Sequence, residues 1–413
     1  MADQLKPNHT SSSLLSLPVL VAALGYMVDM YDLFLFSIVR RPSLQSLGVP
    51  DEHMLDDGLL LLNLQMAGLL AGGIVWGIIG DKRGRLSVLF GSILIYSLAN
   101  IGNGFVTSVT QYAALRFAAG FGLAGELGAG ITLVAEILPK AIRGYGTTLV
   151  ATLGAVGAII AYFIANSFDW RISYFIGGGL GLLLLLLRVQ VFESGMFART
   201  KQRALHRGDL KLLFSTRERT MKYVNSILIG LPIWFVVGIL ITFSPEFARD
   251  IIGLDQPVEA GKAVVLAFSG QVAGDLISGF LSQYLQSRKK AIFFFILLSF
   301  AFVLVYLIGP IHDINTFYIL CFCLGIFNGY WTLFVTVAAE LFGTNLRATV
   351  ATTVPNFVRG ATIPLTALFT FFRGYTSMTN SALITGLVAF AIAMIALRYL
   401  EETFTKDLDY TEE

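Results

Sequence analysis

Twelve stretches of roughly twenty apolar residues divide this chain almost completely, each long enough as a helix to cross the hydrocarbon of a bilayer. They cover about 17–39, 58–80, 86–106, 111–138, 144–166 and 170–190, then 223–244, 261–283, 290–309, 316–341, 347–371 and 380–400. A segment surrounded by lipid has no water for its backbone N–H and C=O groups, so each stretch must be helical. Composition agrees: 55% of the 413 residues are hydrophobic and 14% are charged, where a soluble domain carries about a quarter charged residues. The expected fold class is an all-α integral membrane protein of twelve transmembrane helices.

The polar run 193–222 between the sixth and seventh stretches has more Lys and Arg than acids, as a cytoplasmic loop should. It separates an expected six-helix bundle over 1–192 from a second over 223–413, with 193–222 as the linker. Lys82, Arg83 and Arg85 after the second stretch, and Lys140 and Arg143 after the fourth, fall on the same side. Both termini are then cytoplasmic, and the leading MADQLKPNHTSSS, without a basic n-region and short apolar core, reads as a mature cytosolic tail. The loop after the first stretch mixes Arg40 and Arg41 with Asp51, Glu52, Asp56 and Asp57 and is less decisive. An internal repeat supports the division: AEILPKAIRG (135–144) returns as AELFGTNLRA (339–348), with Glu136 to Glu340 and Arg143 to Arg347 both 204 residues apart. Duplicated halves around a midplane cavity are the architecture of secondary transporters.

Other classes drop out. With 29 basic against 27 acidic residues and no like-charge tail, nothing favours nucleic acid as a partner. Cys321 and Cys323 lie two apart in one apolar stretch and point to different sides of a helix. His9, His53, His206 and His312 fall at the ends of apolar runs or between them, so no histidine switch or metal cluster is expected inside the membrane. No paired nucleophile and base and no phosphate-cradling loop are present, so neither an enzyme nor a cofactor is expected.

Two carboxylates stand within the first apolar stretch, in MVDMYDLFLF (27–36). An acid costs a few kcal/mol at the membrane centre and so faces a cavity, an ion or a proton path. Asp29 and Asp32 share a helical face. Counting inward from Arg40 and Gln111, Asp29 lies eleven residues deep and Glu126 fifteen, while Asp32 lies eight and Arg116 five. An Asp32–Arg116 pair with Asp29 and Glu126 nearer the midplane is the expected proton-coupling cluster, because two close carboxylates in low dielectric do not both stay ionised. The second half carries Asp275 and Arg359. A buried Arg needs an anion or a carboxylate, so Arg359 is expected to contact an anionic substrate. Asp275 either neutralises Arg359 in the empty state, binds the proton, or forms a purely structural pair with it. Gln271, Asn328, Tyr330, Trp331 and Asn356, with Tyr26, Gln65, Tyr162 and Asn166 from the first half, complete the candidate lining for a small polar ligand; such groups equally bond neighbouring helices.

GIIGDKRGR (77–85), RFAAGFGLAGELG (116–128), AEILPKAIRG, and the elements RVQVFES (188–194) and EETFTKDLD (401–409) together resemble the signatures of the major facilitator superfamily, over the whole chain. The resemblance implies two pseudo-symmetric six-helix bundles and cytoplasmic gate clusters from Gly77, Asp81, Gly84, Arg85, Glu136, Arg143, Glu193, Glu340 and Arg347. The second half departs: Gly279 matches Gly77, but the position of Asp81 falls near Gln283, implying a lopsided clamp. The Asp29–Asp32 string with Arg116 and Glu126 is similar to the proton-coupled phosphate, metabolite and aromatic-acid symporters, where the corresponding acids carry the proton and the Arg modulates their affinity for it. The seventh stretch lacks the acid of the phosphate symporters, and the fifth lacks the Gly-Pro pair of the drug antiporters.

The sequence is therefore read as a monomeric inner-membrane symporter that imports a small organic anion, a carboxylate-type metabolite or chelate, with protons, by rocker-switch alternating access. Its alternatives are a proton-coupled exporter or exchanger of a metabolite or siderophore, and a receptor that binds ligand without moving it.

Overall fold

The computed structural model describes residues 16–83, 85–126, 128, 130, 134, 138, 143–193, 213–253, 258–343, 345–406 and 412. Among them every regular element is helical. In the first half these are α1 (Leu17–Ser46), α2 (Met54–Arg83), α3 (Arg85–Asn103), α4 (Val109–Leu123), α5 (Arg143–Ser167) and α6 (Trp170–Glu193). The second half has α7 (Arg217–Leu228), α8 (Leu231–Phe235), a π-helical segment (Val236–Ile241), α9 (Ser244–Ile252), α10 (Ala260–Leu285), α11 (Arg288–Ile308), α12 (Ile314–Asn328), α13 (Trp331–Glu340), α14 (Arg347–Gly360), α15 (Thr362–Arg373) and α16 (Met378–Tyr399). Four of the twelve expected spans differ in detail from single straight rods. Three are built from consecutive segments, α7, α8 and the π segment in one, α12 and α13 in the second, and α14 and α15 in the third, while α1 runs past Pro42 to Ser46. Eight described stretches are long and apolar enough to cross a bilayer unaided, Val19–Ser46, Arg217–Ile241 and Ile314–Glu340 among them.

Small polar residues start these rods at the membrane boundaries by accepting an otherwise orphaned N–H. Ser108 caps α4 through Gln111 N, and Asp313 caps α12 through Thr316 N. The two caps are 205 residues apart and share the same backbone conformation, φ −144° and ψ 155°. Glycine repeats the symmetry in the packing. A Cβ on Gly68 of α2 would overlap Phe117 O of α4, and one on Gly120 would overlap Gln65 O. In the second half Gly270 of α10 meets Phe322 O of α12, and Gly325 meets Ala267 O. Backbone touches backbone at both places, which is how helices associate when lipid supplies no hydrophobic drive.

α1 packs along α5, α2 along α4 and α3 along α6, while α10 packs along α12 and α11 along α16. The halves meet where α2 lies against α14 and α15, and where α1 and α5 lie against α10. Asn63 Oδ1 accepts a bond from Thr366 Oγ1 at 2.7 Å across the first seam, and Asn356 Nδ2 donates to Ala124 O at 2.9 Å. The candidate site lies along this seam and within the first half beside it.

Candidate functional site

Asp29 and Asp32 on α1 are fully buried, and none of their four carboxylate oxygens has a hydrogen-bond partner. The leading charged neighbour of Asp29 is Arg359 from the other half, followed by Glu126 and Arg188. For Asp32 it is Arg116, then Asp29, with Asn100 of α3 close but outside hydrogen-bonding geometry. Two expectations need correction. Arg116 does not bridge Asp32; its Nη1 donates to the Tyr174 hydroxyl at 2.9 Å, and its Nε and Nη2 are unpartnered. Glu126 is not a free partner for Asp29 either. Arg188 of α6 grips it with Nη1 to Oε1 at 2.8 Å and Nη2 to Oε2 at 2.7 Å, and Ser92 Oγ donates to Oε1 at 3.1 Å. Such a bidentate pair between buried side chains is the strong form of the contact. Gly25, one turn before Asp29, leaves room for it: a Cβ there would run into Arg188.

Across the seam Arg359 of α14 is 1% exposed, and its Nε and Nη1 have no partner. Its Nη2 faces Met30 Sδ at 3.9 Å, and its guanidinium sits 6.0 Å from the Trp234 ring and 5.8 Å from the Trp331 ring. Tyr26 lies within charge range of both Arg359 and Asp29, with Trp331 against its hydroxyl. An unpaired guanidinium between two indoles, facing an unpaired carboxylate, suits a flat anion. Of the alternatives for Asp275, pairing with Arg359 is not seen: Asp275 accepts the Thr332 N–H at 2.9 Å.

The other lining candidates divide. Gln65 and Gln271 are buried, and the Gln65 amide is unpartnered on both atoms. Asn328 Nδ2 donates to Ile233 O at 3.3 Å, and the Tyr330 hydroxyl donates to Ile229 O at 3.1 Å, so both fasten α12 and α13 to the α7–α8 rod. Asn356 ties α14 to α4, as described above. Tyr162 packs against Gly261 in the α5–α10 contact, and Asn166 is exposed at the end of α5. Tyr330, Tyr162 and Asn166 are thus used for packing or face outward.

The two ends of the seam differ. At one end Arg40, fully buried inside α1 rather than in a loop, donates to both oxygens of Glu246 on α9 at 2.8 and 2.7 Å, and Arg41 reaches the same carboxylate at 3.1 Å. Arg40 also donates to Met54 O at 3.2 Å and lies 4.4 Å from the Phe243 ring. The π-helical turn sets this up, because Thr242 bonds back to Val237 O and its hydroxyl meets Ser37 at 3.0 Å. Asp56 and Arg373 form a second, exposed bridge between the halves at this end. At the other end lie the gate candidates. Gly84 and Glu136, and the side chains of Asp81, Arg85, Arg143 and Glu193, lie outside the described residues; Gly77 is half-buried in α2. Glu340 takes Arg288 at 3.4 Å and the Thr403 hydroxyl at 2.7 Å, and Arg347 Nε donates to Ala339 O at 3.3 Å. Gln283 is exposed; the acid that serves the start of α11 is Glu402, which bonds Ser287 and the N–H groups of Arg288 and Lys289. Burial opposes charge on Glu402, but these donors outweigh it and keep its carboxyl below the usual range.

Sequence reasoning missed Arg188, Glu246, Trp234, Tyr112 and Tyr174, and misread Arg40 as a loop residue. Arg188 had a signal: it interrupts the run LLLLLLRVQV (182–191), and a cation there demands a partner as much as Arg359 does.

Residues 22–360 match the family described as Major Facilitator Superfamily. The niacin transporter NiaP of Acinetobacter baylyi is 29% identical over 178 residues, 42% of this chain and 40% of that protein. A protein of Cupriavidus pinatubonensis named "Probable 4-methylmuconolactone transporter" is 25% identical over 396 residues, 92% of this chain and 89% of that one. The crystal structure of a D-xylose-proton symporter superposes with a TM-score of 0.71 over 96% of this chain and 100% of that one, at 16% identity, a likeness of fold.

Proposed function

The chain belongs to the Major Facilitator Superfamily, and on that premise we propose that it is a proton-coupled symporter importing a small ring-bearing carboxylate by rocker-switch alternating access. The observation that carries the reading is the facing of two unpaired buried ions across the seam, Asp29 from α1 and Arg359 from α14. Empty, with Asp29 ionised, the two charges offset each other. A substrate carboxylate arriving on Arg359 leaves Asp29 as a surplus negative charge in low dielectric, a state costing several kcal/mol. A proton on Asp29 removes the surplus. The neutral arrangements are therefore the empty deprotonated seam and the seam loaded with both anion and proton, and only these two reorient readily. Asp29 is the proton carrier in this scheme, Arg359 the anion site, and Trp234 and Trp331 the flat walls against a ring. Niacin and 4-methylmuconolactone, the compounds in the two relatives' names, are ring-bearing acids of this kind. The same reading puts the carrier in the inner membrane as a monomer with both termini in the cytoplasm.

Purified protein in liposomes enclosing a pH dye tests it. Aromatic and other ring carboxylates are expected to acidify the lumen, and sugars and cationic drugs to leave it unchanged. Asp29→Asn is expected to bind substrate yet lose uphill accumulation. Arg359→Gln is expected to raise KM at least about tenfold, as loss of a charged hydrogen bond does. Uphill accumulation by Asp29→Asn, or a response to sugars alone, defeats the proposal.

A further inference from the structure

Beside the Asp29–Arg359 seam, the first half holds a second acid and cation with unpartnered atoms that the charge balance above does not use. Asp32 and Arg116 are both fully buried, Arg116 is the strongest charge neighbour of Asp32, and yet the two are not bonded. Instead Arg116 is seated on aromatic groups. Its Nη1 donates to the Tyr174 hydroxyl at 2.9 Å, and its guanidinium lies 5.4 Å from the Tyr174 ring and 5.5 Å from the Phe36 ring. Since Tyr174 accepts from Arg116, its own proton is free for the Tyr112 oxygen, 2.6 Å away. Ser43 Oγ stands 3.4 Å beyond Tyr112 and donates to Arg40 O at 2.9 Å. All four polar groups, Arg116, Tyr174, Tyr112 and Ser43, are fully buried.

A guanidinium keeps its proton even when buried, so its charge changes address only by movement of the side chain. Two addresses are within reach: a neutral phenol already occupied, and a carboxylate whose hold on a cation depends on whether it is ionised. We propose that Tyr174, held in place by Tyr112, is a second seat for the Arg116 guanidinium, and that exchange of Arg116 between Tyr174 and Asp32 sets how readily Asp32 takes up and releases a proton. The inference rests on the proton-coupled reading. With Asp32 protonated, Arg116 rests on Tyr174, the arrangement seen here. With Asp32 ionised, it crosses to the carboxylate and resists reprotonation. Arg116 is the cation facing Asp32, and Asp29 on the same helix is the facing acid; Tyr31 also comes from α1, Tyr96 and Asn100 from α3, and Tyr174 from α6. Tyr174 and Tyr112 act through Arg116 and are positioning residues.

Tyr174→Phe keeps the ring and removes the seat. Arg116 then falls to Asp32, so the pH profile of uptake is expected to move about one unit to the acid side, a roughly tenfold loss of apparent proton affinity, which is what one hydrogen bond to a charged group is worth. Substrate affinity measured at saturating acidity is expected to stay unchanged. Tyr112→Phe, which unfastens Tyr174 without removing it, is expected to shift the profile the same way by less. In an Arg116→Gln background the Tyr174→Phe shift is expected to vanish. If the unmodified protein takes up protons with substrate and Tyr174→Phe leaves its profile in place, moves it to the alkaline side, or moves it equally in the Arg116→Gln background, this inference alone falls. If the unmodified protein moves no protons with substrate, the symport reading falls and takes this inference with it.

Discussion

Glu246→Gln is expected to open the end of the seam that Arg40 closes. In the native arrangement Arg40 is 0% and Glu246 5% exposed at the side chain, and both carboxylate oxygens accept from one nitrogen, Arg40 Nη2. Removing one partner of such a pair strands the other ion, a loss of about 3–5 kcal/mol. Arg40 keeps Met54 O and the Phe243 ring, so the low end, about 3 kcal/mol, applies. The loss falls on the closed arrangement alone, because Arg40 in an opened seam meets water. At roughly 1.4 kcal/mol per factor of ten, the ratio of closed to open shifts about a hundredfold, enough to make a minor open state visible. Nitroxide labels at positions 105 and 375, exposed sites on the two halves at this end, would report the gap by double electron–electron resonance after Cys321→Ser and Cys323→Ser. A longer-distance population is expected to appear with Glu246→Gln. Arg373→Ala removes the exposed bridge to Asp56, which is worth at most about 1 kcal/mol, and is expected to change the distribution little. Superimposable distributions for Glu246→Gln and the native protein, or an equal response to Arg373→Ala, would refute the reasoning.

Arg188→Leu strands Glu126 and is expected to lower thermal stability of the solubilised protein markedly, while Arg188→Leu with Glu126→Leu recovers much of it, since replacing both buried ions is far milder than removing one. A double variant no more stable than the single one contradicts this. Gly274→Val puts a side chain onto Ile326 O of the α10–α12 contact and is expected to destabilise by about 1–3 kcal/mol or prevent assembly; Gly179→Ala, with nothing within 4 Å of its Cβ, is expected to be neutral in the same thermal scan. Glu402 has its carboxyl held below the usual range, so its stabilisation is present above the unfolded value near about 4.3 and is lost as pH falls through the lower folded value. Glu402→Gln is expected to lower the melting temperature at neutral pH, with a difference that closes below about pH 4; a difference that persists in acid argues against the assignment.

The helices were legible because lipid leaves the backbone no alternative, and the duplication because Glu136 and Glu340 keep matched spacing. Asp29, Asp32, Arg116 and Arg359 were legible as charges where charge is expensive. Their partners were not, since a helix sequence gives the face a residue occupies but not which of several neighbouring helices that face meets. Depth counting paired Asp32 with Arg116 when the phenol of Tyr174 stands closer. It ended the first span near Arg40, where α1 in fact continues through Pro42 and carries Arg40 to a carboxylate 206 residues away. Trp234 and Tyr174 gave no signal, because an aromatic residue in an apolar run reads the same whether it faces a cavity or the core.

What remains after the pairing is informative. Within the described seam and first half, Arg40 has Glu246 and Arg188 has Glu126, each at 2.7 Å, so this fold is able to satisfy buried ions where it needs only to hold together. Asp29, Asp32, Arg116 and Arg359 are as deeply buried, two acids and two cations, yet no ion pair joins them. Selection for stability alone would have joined them or replaced them with apolar residues, which is often neutral or stabilising. On the proposed reading, leaving them near one another but apart gives each pair two arrangements, one with the charges together and one with a proton or an anion between them. A carrier that binds on one side and releases on the other needs such alternatives to be close in energy, so on this reading the Asp29, Arg359 and Tyr174 variants are expected to change coupling and pH dependence before they change folding.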